Sequence, residues 1–303
     1  MQTSENTMTQ TVLILGGNGK IGRYAADAFG NAGWNVRKYK RGMDMAAAAQ
    51  GADVIVNGLN PPNYNNWAKN IPAITAQVIA AAKASGATVI IPGNVYNFGD
   101  RGGVWDENTP HRPVTEKGQI RVDMETAFRA SGVQTIVLRA GHCIVPGQDT
   151  DAYSMLLVAK VGKGKIQSLG DPDALQAHAF VPDWARAALQ LAELRAELDT
   201  FEDIPFPGHA FSMAQLRDEM ARLLGKPMKI TYFPWWLMTF IAPFNEMIRE
   251  FRKMRYLSNT SHQLGSDKFK RLLPDFSPTD LRTVLLSGVP ADIHPDQAVR
   301  ASQ

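Results

Sequence analysis

Three regularly spaced glycines stand directly behind a run of β-forming residues near the start of the chain. The segment TVLILGGNGKIG, residues 11 to 22, places them at Gly16, Gly19 and Gly22. A residue without a Cβ permits a tight turn and a close approach of the backbone to a pyrophosphate, and the N-terminus of the next helix offers free N–H groups. The segment therefore predicts a dinucleotide-binding turn between a strand and a helix.

A basic segment, NVRKYKRG at residues 35 to 42, follows as the end of a second strand. In folds that bind dinucleotides, an acidic residue at this place accepts the ribose hydroxyls of NAD, whereas Arg or Lys accommodates the 2′-phosphate of NADP. Lys40 and Arg41 therefore favour NADP(H) over NAD(H). The alternative is an ordinary solvated pair at a strand end.

His142 and Cys143 are neighbours after the fifth strand-like run, and this pair of residue types suggests nucleophilic or metal chemistry. Neighbouring side chains on an extended segment point to opposite faces, and the chain has a single cysteine with which to build a zinc site. The other histidines do not have the spacing of metal ligands either. We therefore predict no metal site and no internal disulfide.

Composition narrows the classes of partner. The 303 residues are 45% hydrophobic, and 32 basic against 29 acidic residues give a net charge of +3, too weak a field to indicate nucleic acid. The first ten residues lack the apolar core of a signal peptide, which favours a cytoplasmic protein. The most apolar window, residues 233 to 244, is about half the length that crosses a bilayer, so no membrane span is expected.

The elements that must position these residues alternate between strand-like and helical patterns. Strand-like runs appear in TVLIL, NVRKY, ADVIVNGL, ATVIIPG and QTIVLRA. The segments between them predict helices over 20–32, 72–85 and 116–131, each ending at a glycine. This alternation predicts five βα units and a parallel sheet between residue 11 and about 145.

Beyond this region the pattern becomes irregular. We divide the chain into a disordered N-terminus (1–10), a dinucleotide-binding domain (11–150) and a smaller mixed lobe with C-terminal helices (151–303). One helix is expected to begin at Asp183, and another is expected to follow AFSM and to end at Gly225. Residues 233–256 carry aromatics and then the basic run REFRKMRY, which fits a membrane-surface helix, a lid over a ligand, or a helix that packs its aromatics inward with its charges in water.

The spacing Gly-x-x-Gly-x-x-Gly resembles that of the short-chain dehydrogenase/reductase superfamily, in its extended and atypical branch, which includes NAD-dependent epimerase/dehydratase and NmrA-like proteins. GADVIVNGLN, VIIPGNVYNFG and VLRAGHCIVPG resemble that branch's third, fourth and fifth strands, and HAFVPDWARAALQLAE resembles its segment after the substrate loop. The resemblance covers roughly residues 11 to 225. It implies a Rossmann-type doubly wound parallel sheet with a small C-terminal substrate lobe.

The resemblance also implies a cofactor site and an assembly. Asp44 matches an aspartate near the adenine, and the loop from Asn57 to Asn60 is expected to pass under the nucleotide. Members often dimerise through the helices expected here over 72–85 and 116–131, so a homodimer is expected. The residues expected to bind the dinucleotide are Gly16, Asn18, Gly19, Lys20, Ile21, Gly22, Arg41, Asp44, Asn57 and Leu59.

The catalytic positions depart from the pattern of the resembled branch. Its extended members carry a serine after the fourth strand and Tyr-x-x-x-Lys on the following helix. Alignment through Val95 and Tyr96 puts the serine position on Pro92 or Gly93. Alignment through Gly118 and Glu125 puts the tyrosine position on Lys117 and the lysine position on Arg121.

Two candidate proton donors and two functions follow. Lys117 is one candidate, because Arg121 one helical turn away is a cation that can lower its pKa. Tyr96 is the other, with a pocket-wall role as its alternative. The chain is expected to be an NADP(H)-dependent oxidoreductase or epimerase-like enzyme acting on a small molecule. The alternative is a non-catalytic NADP(H)-sensing regulator that binds a protein partner.

Overall fold

The computed structural model of the chain describes residues 9–61, 66–147 and 151–294. Most of the predicted disordered N-terminus therefore lies outside the described residues. The strands are β1 Thr11–Leu15, β2 Asn35–Lys38, β3 Val54–Asn57, β4 Thr88–Gly93, β5 Gly103–Trp105, β6 Thr135–Arg139, β7 His142–Ile144, β8 Lys165–Ser168, β9 Gln176–Phe180, β10 Phe201–Pro205, β11 His209–Phe211, β12 Lys229–Tyr232 and β13 His262–Leu264.

The α-helices are placed between and after these strands. They are α1 Lys20–Asn31, α2 Met45–Ala49, α3 Trp67–Ser85, α4 Glu116–Ser131, α5 Val181–Glu193, α6 Met213–Leu224, α7 Trp235–Ile241, α8 Glu246–Lys253, α9 Asp267–Leu272 and α10 Leu281–Leu286. None of the helices within the described ranges is both long enough and apolar enough to cross a bilayer.

The main sheet has six parallel strands in the order β2-β1-β3-β4-β6-β10. Strands β1, β3 and β6 are buried along their whole length, as the near-continuous Val and Ile runs predict for a sheet covered on both faces. The chain leaves β1 for β2 and then returns to β3 on the other side of β1. Ligands of such sheets bind at this switch point, beyond the carboxyl ends of the strands.

The predicted helix over 116–131 is confirmed, and it ends at Gly132 in the left-handed conformation (φ +72°). The prediction for α3 was wrong at its start, because the helix begins at Trp67 and Pro72 lies inside it. Proline is typical of the first helical turn, which is why the sequence pattern begins at Pro72. α1 ends at Asn31, one residue before the predicted end.

The sixth strand of the sheet lies beyond the boundary drawn at residue 150. β10 pairs in parallel with β6, from Phe201 opposite Thr135 to Pro205 opposite Arg139. Its sequence, FEDIP, places two acidic residues in a short strand, which hides its β character. Glu202 is paired with Lys268 at 2.5 Å, and Asp203 with Arg139 at 2.5 Å, so the charges are neutralised where they lie.

The remaining strands form smaller sheets beside the carboxyl edge of the main one. β11, β9 and β7 form one sheet, β12 pairs with β8, and β13 pairs with β5. Helix α6 begins behind Ser212, whose side chain accepts from the Gln215 N–H while the Gln215 side chain accepts from the Ser212 N–H. This reciprocal cap fixes the start of α6, the helix that the sequence predicts to end at Gly225.

Candidate dinucleotide and active site

The glycine turn lies at the carboxyl end of β1. Gly16 has φ +75°, and the Gly19 N–H donates to the Gly16 carbonyl at 2.8 Å, which turns the chain into α1. Gly19 is the N-cap and has no side chain to satisfy the first N–H groups of the helix. The first turn of α1, which begins at Lys20, holds no acidic residue. These N–H groups and the positive helix end are therefore available to an anion.

The backbone around this turn is packed too closely for any side chain. A Cβ placed on Gly22 would lie 2.3 Å from the Gly16 carbonyl oxygen, and one on Gly16 would lie 2.9 Å from the Gly58 carbonyl oxygen. A Cβ on Gly58 would in turn lie 3.0 Å from the Leu15 carbonyl oxygen. The turn after β1 and the loop after β3 are thus locked together. Gly58 was not among the predicted cofactor-binding residues.

The other predicted residues of the turn and loop are at the same edge of the sheet. Asn18 and Lys20 are exposed, and Ile21 is half-buried against the core. Asn57 is buried, and its side-chain oxygen accepts from the Leu59 N–H at 3.2 Å, which shapes the loop after β3. The structure brings these predicted residues together. Their contact with a dinucleotide stays a prediction.

The basic residues after β2 surround the same edge. The Lys38 side chain crosses the turn, because a Cβ on Gly17 would lie 3.1 Å from its Cγ and Cδ. Lys40 and Arg41 are exposed in the turn that follows β2. Asp44 caps α2, its carboxylate accepting from the Ala47 N–H at 2.8 Å. The carboxylate of Asp44 thus caps a helix. Lys38, whose side chain packs against Gly17, is a basic residue at the turn that the sequence analysis did not name.

Lys117, at the tyrosine position of the resembled motif, is buried in an ion pair. Its Nζ lies 3.3 Å from Oε2 of Glu250 in α8 and 4.8 Å from the centre of the Trp67 ring. Burial acts to raise the pKa of Glu250, but the bonds from Lys253 and Lys117 outweigh it and hold that pKa below its ordinary value. α8 therefore covers the first turn of α4.

Arg121 completes this cluster from the next turn of α4. Its guanidinium lies 4.7 Å from the centre of the Trp67 ring, and Nη2 donates to the side-chain oxygen of Asn60 at 3.0 Å. Trp67 thus lies against both cations, and Arg121 ties α4 to the loop after β3. No local sequence signal pointed to Trp67 or Glu250, which are distant in the chain from Lys117.

Tyr96 lies just beyond the carboxyl end of β4, which ends at Gly93. Its backbone carbonyl packs against the first turn of α4, because a Cβ on Gly118 would lie 2.7 Å from the Tyr96 oxygen. Its half-buried ring contacts both the core below the main sheet and the cluster that Phe98 and Trp105 form with Met254 of the lobe. Tyr96 therefore lies on the seam between the sheet and the lobe.

Gly93, one of the two residues at the serine position, has no room for a side chain. A Cβ there would lie 2.7 Å from Val137 Cγ1 and 3.0 Å from the Arg139 Cα on the neighbouring strand. Pro92, the other, carries no side-chain donor. The substrate-positioning hydroxyl of the resembled motif is therefore absent at both residues.

A buried arginine lies beneath this seam. The five N–H groups of Arg139 donate to the Asn94 carbonyl and to both carboxylate oxygens of Glu125 and of Asp203, at 2.5 to 3.2 Å. Its guanidinium also lies 5.1 Å from the centre of the Phe98 ring. Within the described ranges, His111, Glu125 and Asp203 bring three potential metal-ligand atoms within 4.8 Å of one another. Because both carboxylates are bonded to Arg139, the guanidinium is the cation they hold.

Three histidines on the short strands β7, β9 and β13 form an uncharged cluster. His142 lies 5.7 Å from His178 and 6.2 Å from His262, between ring centres. Burial lowers the pKa of all three, to about 4 for His262, so their rings are neutral at pH 7. Burial raises the pKa of Cys143 to about 11. The thiol is therefore protonated, which argues against a nucleophilic role.

Comparison with known proteins finds likeness in structure and none in sequence. No family model matches the chain, and none of the curated proteins matches it by sequence. Solved structures match it over nearly its full length. MoeE5 in complex with UDP-glucose and NAD superposes with a TM-score of 0.73 at 16% identity, covering 97% of this chain and 100% of MoeE5.

Two further structures agree. The UDP-glucuronic acid 4-epimerase of Bacillus cereus, in complex with UDP-glucuronic acid and NAD, has a TM-score of 0.73 at 14% identity and covers 96% of this chain and 100% of its own. A nucleoside-diphosphate-sugar epimerase from Pseudomonas aeruginosa has a TM-score of 0.67 at 15% identity, covering 95% and 98%. The chain therefore shares the Rossmann-type fold of these structures, a doubly wound parallel sheet, as the sequence resemblance predicts.

Proposed function

We propose that this chain binds NADP(H) at the glycine turn and is an oxidoreductase or epimerase-like enzyme acting on a small molecule between the sheet and the lobe. The observation that carries the proposal is the turn itself. Gly16, Gly22 and Gly58 meet backbone to backbone at the switch point between β1 and β3. This packing and the uncapped start of α1 fit a pyrophosphate.

The choice of NADP(H) rests on the charges around β2. Residues 35 to 43 hold no acidic side chain that could accept ribose hydroxyls. Lys38 lies across the turn at Gly17, and Arg41 is exposed in the loop that follows. The basic side chains of Lys38, Lys40 and Arg41 favour a 2′-phosphate at this edge and therefore NADP(H), while the carboxylate of Asp44 caps α2.

Calorimetric titration with NADPH, NADP, NADH and NAD tests this proposal. We expect NADPH to bind at least about tenfold more tightly than NADH, and we expect Lys38→Ala or Arg41→Ala to remove most of that difference, since each charged hydrogen bond contributes about 1.5–3 kcal/mol. Lys83→Ala, an exposed lysine near the far end of α3, is the matched control. Equal affinity for NADH and NADPH would contradict the preference, and no binding of any dinucleotide would contradict the site.

We propose that Tyr96 donates a proton to, or accepts one from, the oxygen of the reacting group. A nicotinamide supplies or accepts a hydride when bound, and the oxygen of the reacting group then needs a proton donor or acceptor. The ring of Tyr96 lies on the seam, and its backbone carbonyl packs against the first turn of α4 at Gly118. The ammonium of Lys117 is instead held by Glu250.

A panel of carbonyl compounds with NADPH tests the assignment. Turnover of any member is expected to fall by about 100-fold or more in Tyr96→Phe, because a positioned acid–base group contributes that much, while NADPH binding is kept. Tyr232→Phe, an exposed tyrosine of β12, controls for loss of a hydroxyl. Unchanged turnover in Tyr96→Phe would refute the role of Tyr96.

A non-catalytic NADP(H)-sensing regulator is the second candidate, favoured by the burial of Lys117 against Glu250 and Trp67. NADPH binding with no turnover across the panel would support it over the enzyme. The cytoplasmic location and the homodimer through α3 and α4 stay predictions.

A further inference from the structure

The segment from Tyr232 to Met247, which we call the aromatic tip, leaves large apolar side chains in solvent. Trp236 and Phe240 are each 70% exposed, and Phe244 is 91% exposed. The neighbouring exposed apolar residues are Tyr232, Leu237, Ile241 and Met247. Contiguous exposed apolar surface on a folded chain marks a site of interaction.

Contacts of Trp235 hold the aromatic tip against the rest of the chain, so the position of its exposed face is fixed. The Trp235 indole N–H donates to the Leu169 carbonyl at 2.7 Å, and its ring lies 5.1 Å from that of Phe251 in α8. Of the alternatives for this segment, inward packing thus holds for Trp235 and Phe251. Inward packing does not hold for Trp236 and Phe240, which are one helical turn apart and face solvent.

Charge is arranged in a collar behind the tip. Residues 233 to 245 carry no charged side chain, whereas Arg249, Arg252, Lys253 and Arg255 are all exposed. Of the two acids in this part of the chain, Glu246 is half-buried, and Glu250 is buried and pairs with Lys117, Arg249 and Lys253. The four exposed cations outnumber these acids, so the collar keeps a net positive charge. An uncharged aromatic surface backed by cations has the polarity of the boundary between acyl chains and anionic headgroups.

We propose that the aromatic tip docks this protein reversibly onto an anionic bilayer surface. Trp236, Phe240 and Phe244 enter the headgroup and upper acyl region, and the arginine collar lies on lipid phosphates. The uncharged stretch is about half a membrane span, so the segment lies in the interface and does not cross it. The charge complementarity favours a bilayer over a protein partner as the occupant.

A cavity at the base of the tip fits this geometry. It has a volume of about 480 Å³ and is lined by Tyr232, Trp235, Trp236 and Arg255 among others. The Arg255 guanidinium lies 5.3 Å from the centre of the Trp235 ring. A cation held over an aromatic wall beside the tip gives a headgroup phosphate a place to bind.

Vesicle flotation of the full chain tests the proposal. We expect binding to vesicles of phosphatidylcholine with phosphatidylserine, weaker binding to phosphatidylcholine alone, and loss of the difference at high salt. The pair Phe240→Ser and Phe244→Ser is expected to weaken binding at least about tenfold. Each of Arg249→Gln and Arg252→Gln is expected to weaken it about fivefold. Met155→Ser, which removes an exposed apolar side chain elsewhere, is the matched control.

These side chains are exposed, so the variants are expected to keep the circular dichroism and thermal midpoint of the native chain. Absence of vesicle binding by the native chain would overturn the proposal, and so would equal binding by the Phe240→Ser/Phe244→Ser variant. Light scattering gives the other outcome. A dimer that this variant converts to a monomer, with no vesicle binding, would show that a second copy covers the tip. The assay contains no dinucleotide, so its result is independent of the proposed function.

Discussion

Gly22→Ala is expected to abolish dinucleotide binding and to lower the free energy of unfolding by about 2–3 kcal/mol. The added Cβ would lie 2.3 Å from the Gly16 carbonyl oxygen, 2.7 Å from its carbon and 2.9 Å from the Gly17 Cα. All three are backbone atoms, which cannot rotate aside as a side chain would. The turn must therefore open, and the N–H groups of α1 move away from the position that fits a pyrophosphate. Calorimetry with NADPH and urea unfolding measure the two effects.

Gly30→Ala in the same helix is the matched control. A Cβ there meets only Val36 Cγ2 at 3.7 Å, which is ordinary contact. Because alanine favours a helix over glycine, this variant is expected to gain about 0.5–1 kcal/mol and to bind NADPH unchanged. Native affinity for NADPH in Gly22→Ala would refute the role of the turn. Native stability in Gly22→Ala would refute the backbone packing itself, whatever the ligand.

The parts of the fold that the sequence predicts are those set by local patterns. β1 and β3 are buried throughout, and apolar except for Thr11 and Asn57 at their ends, because both faces of the parallel sheet are covered. α4 begins after Thr115, whose side chain accepts from the Gly118 N–H, and ends at Gly132, so both boundaries have a local cause. The glycine turn is likewise set by a local pattern, the spacing of Gly16, Gly19 and Gly22.

The candidate site is less predictable because its contacts join distant segments. Lys117 was identified only through alignment to a motif, and its partner Glu250 lies in a helix whose sequence indicates a solvated basic face. Trp67 precedes the predicted start of its own helix. Such pairs depend on how helices pack, which neither periodicity nor a short motif specifies.

Arg139→Met is expected to destabilise the chain by about 3–5 kcal/mol, because it leaves the carboxylates of Glu125 and Asp203 without their cation. Arg139 is fully buried, and the five N–H groups of its guanidinium are satisfied by these carboxylates and the Asn94 carbonyl. Methionine approximates the volume of the stem, so the loss reflects uncompensated charge and not an empty cavity. Urea unfolding followed by circular dichroism measures the change.

A second variant separates charge from packing. Adding Glu125→Gln and Asp203→Asn to Arg139→Met removes both uncompensated charges and is expected to recover a large part of the lost stability, since replacing a whole buried ion cluster costs far less than breaking it. Arg139→Lys keeps one charge but loses the planar fork that bonds both carboxylates, so an intermediate loss is expected. A loss below about 1 kcal/mol in Arg139→Met would contradict the role of Arg139 in compensating the two carboxylates. Recovery in the triple variant would instead show that the loss in Arg139→Met comes from the uncompensated charges of Glu125 and Asp203, and that Arg139 stabilises the junction of β6, α4 and β10 by neutralising them.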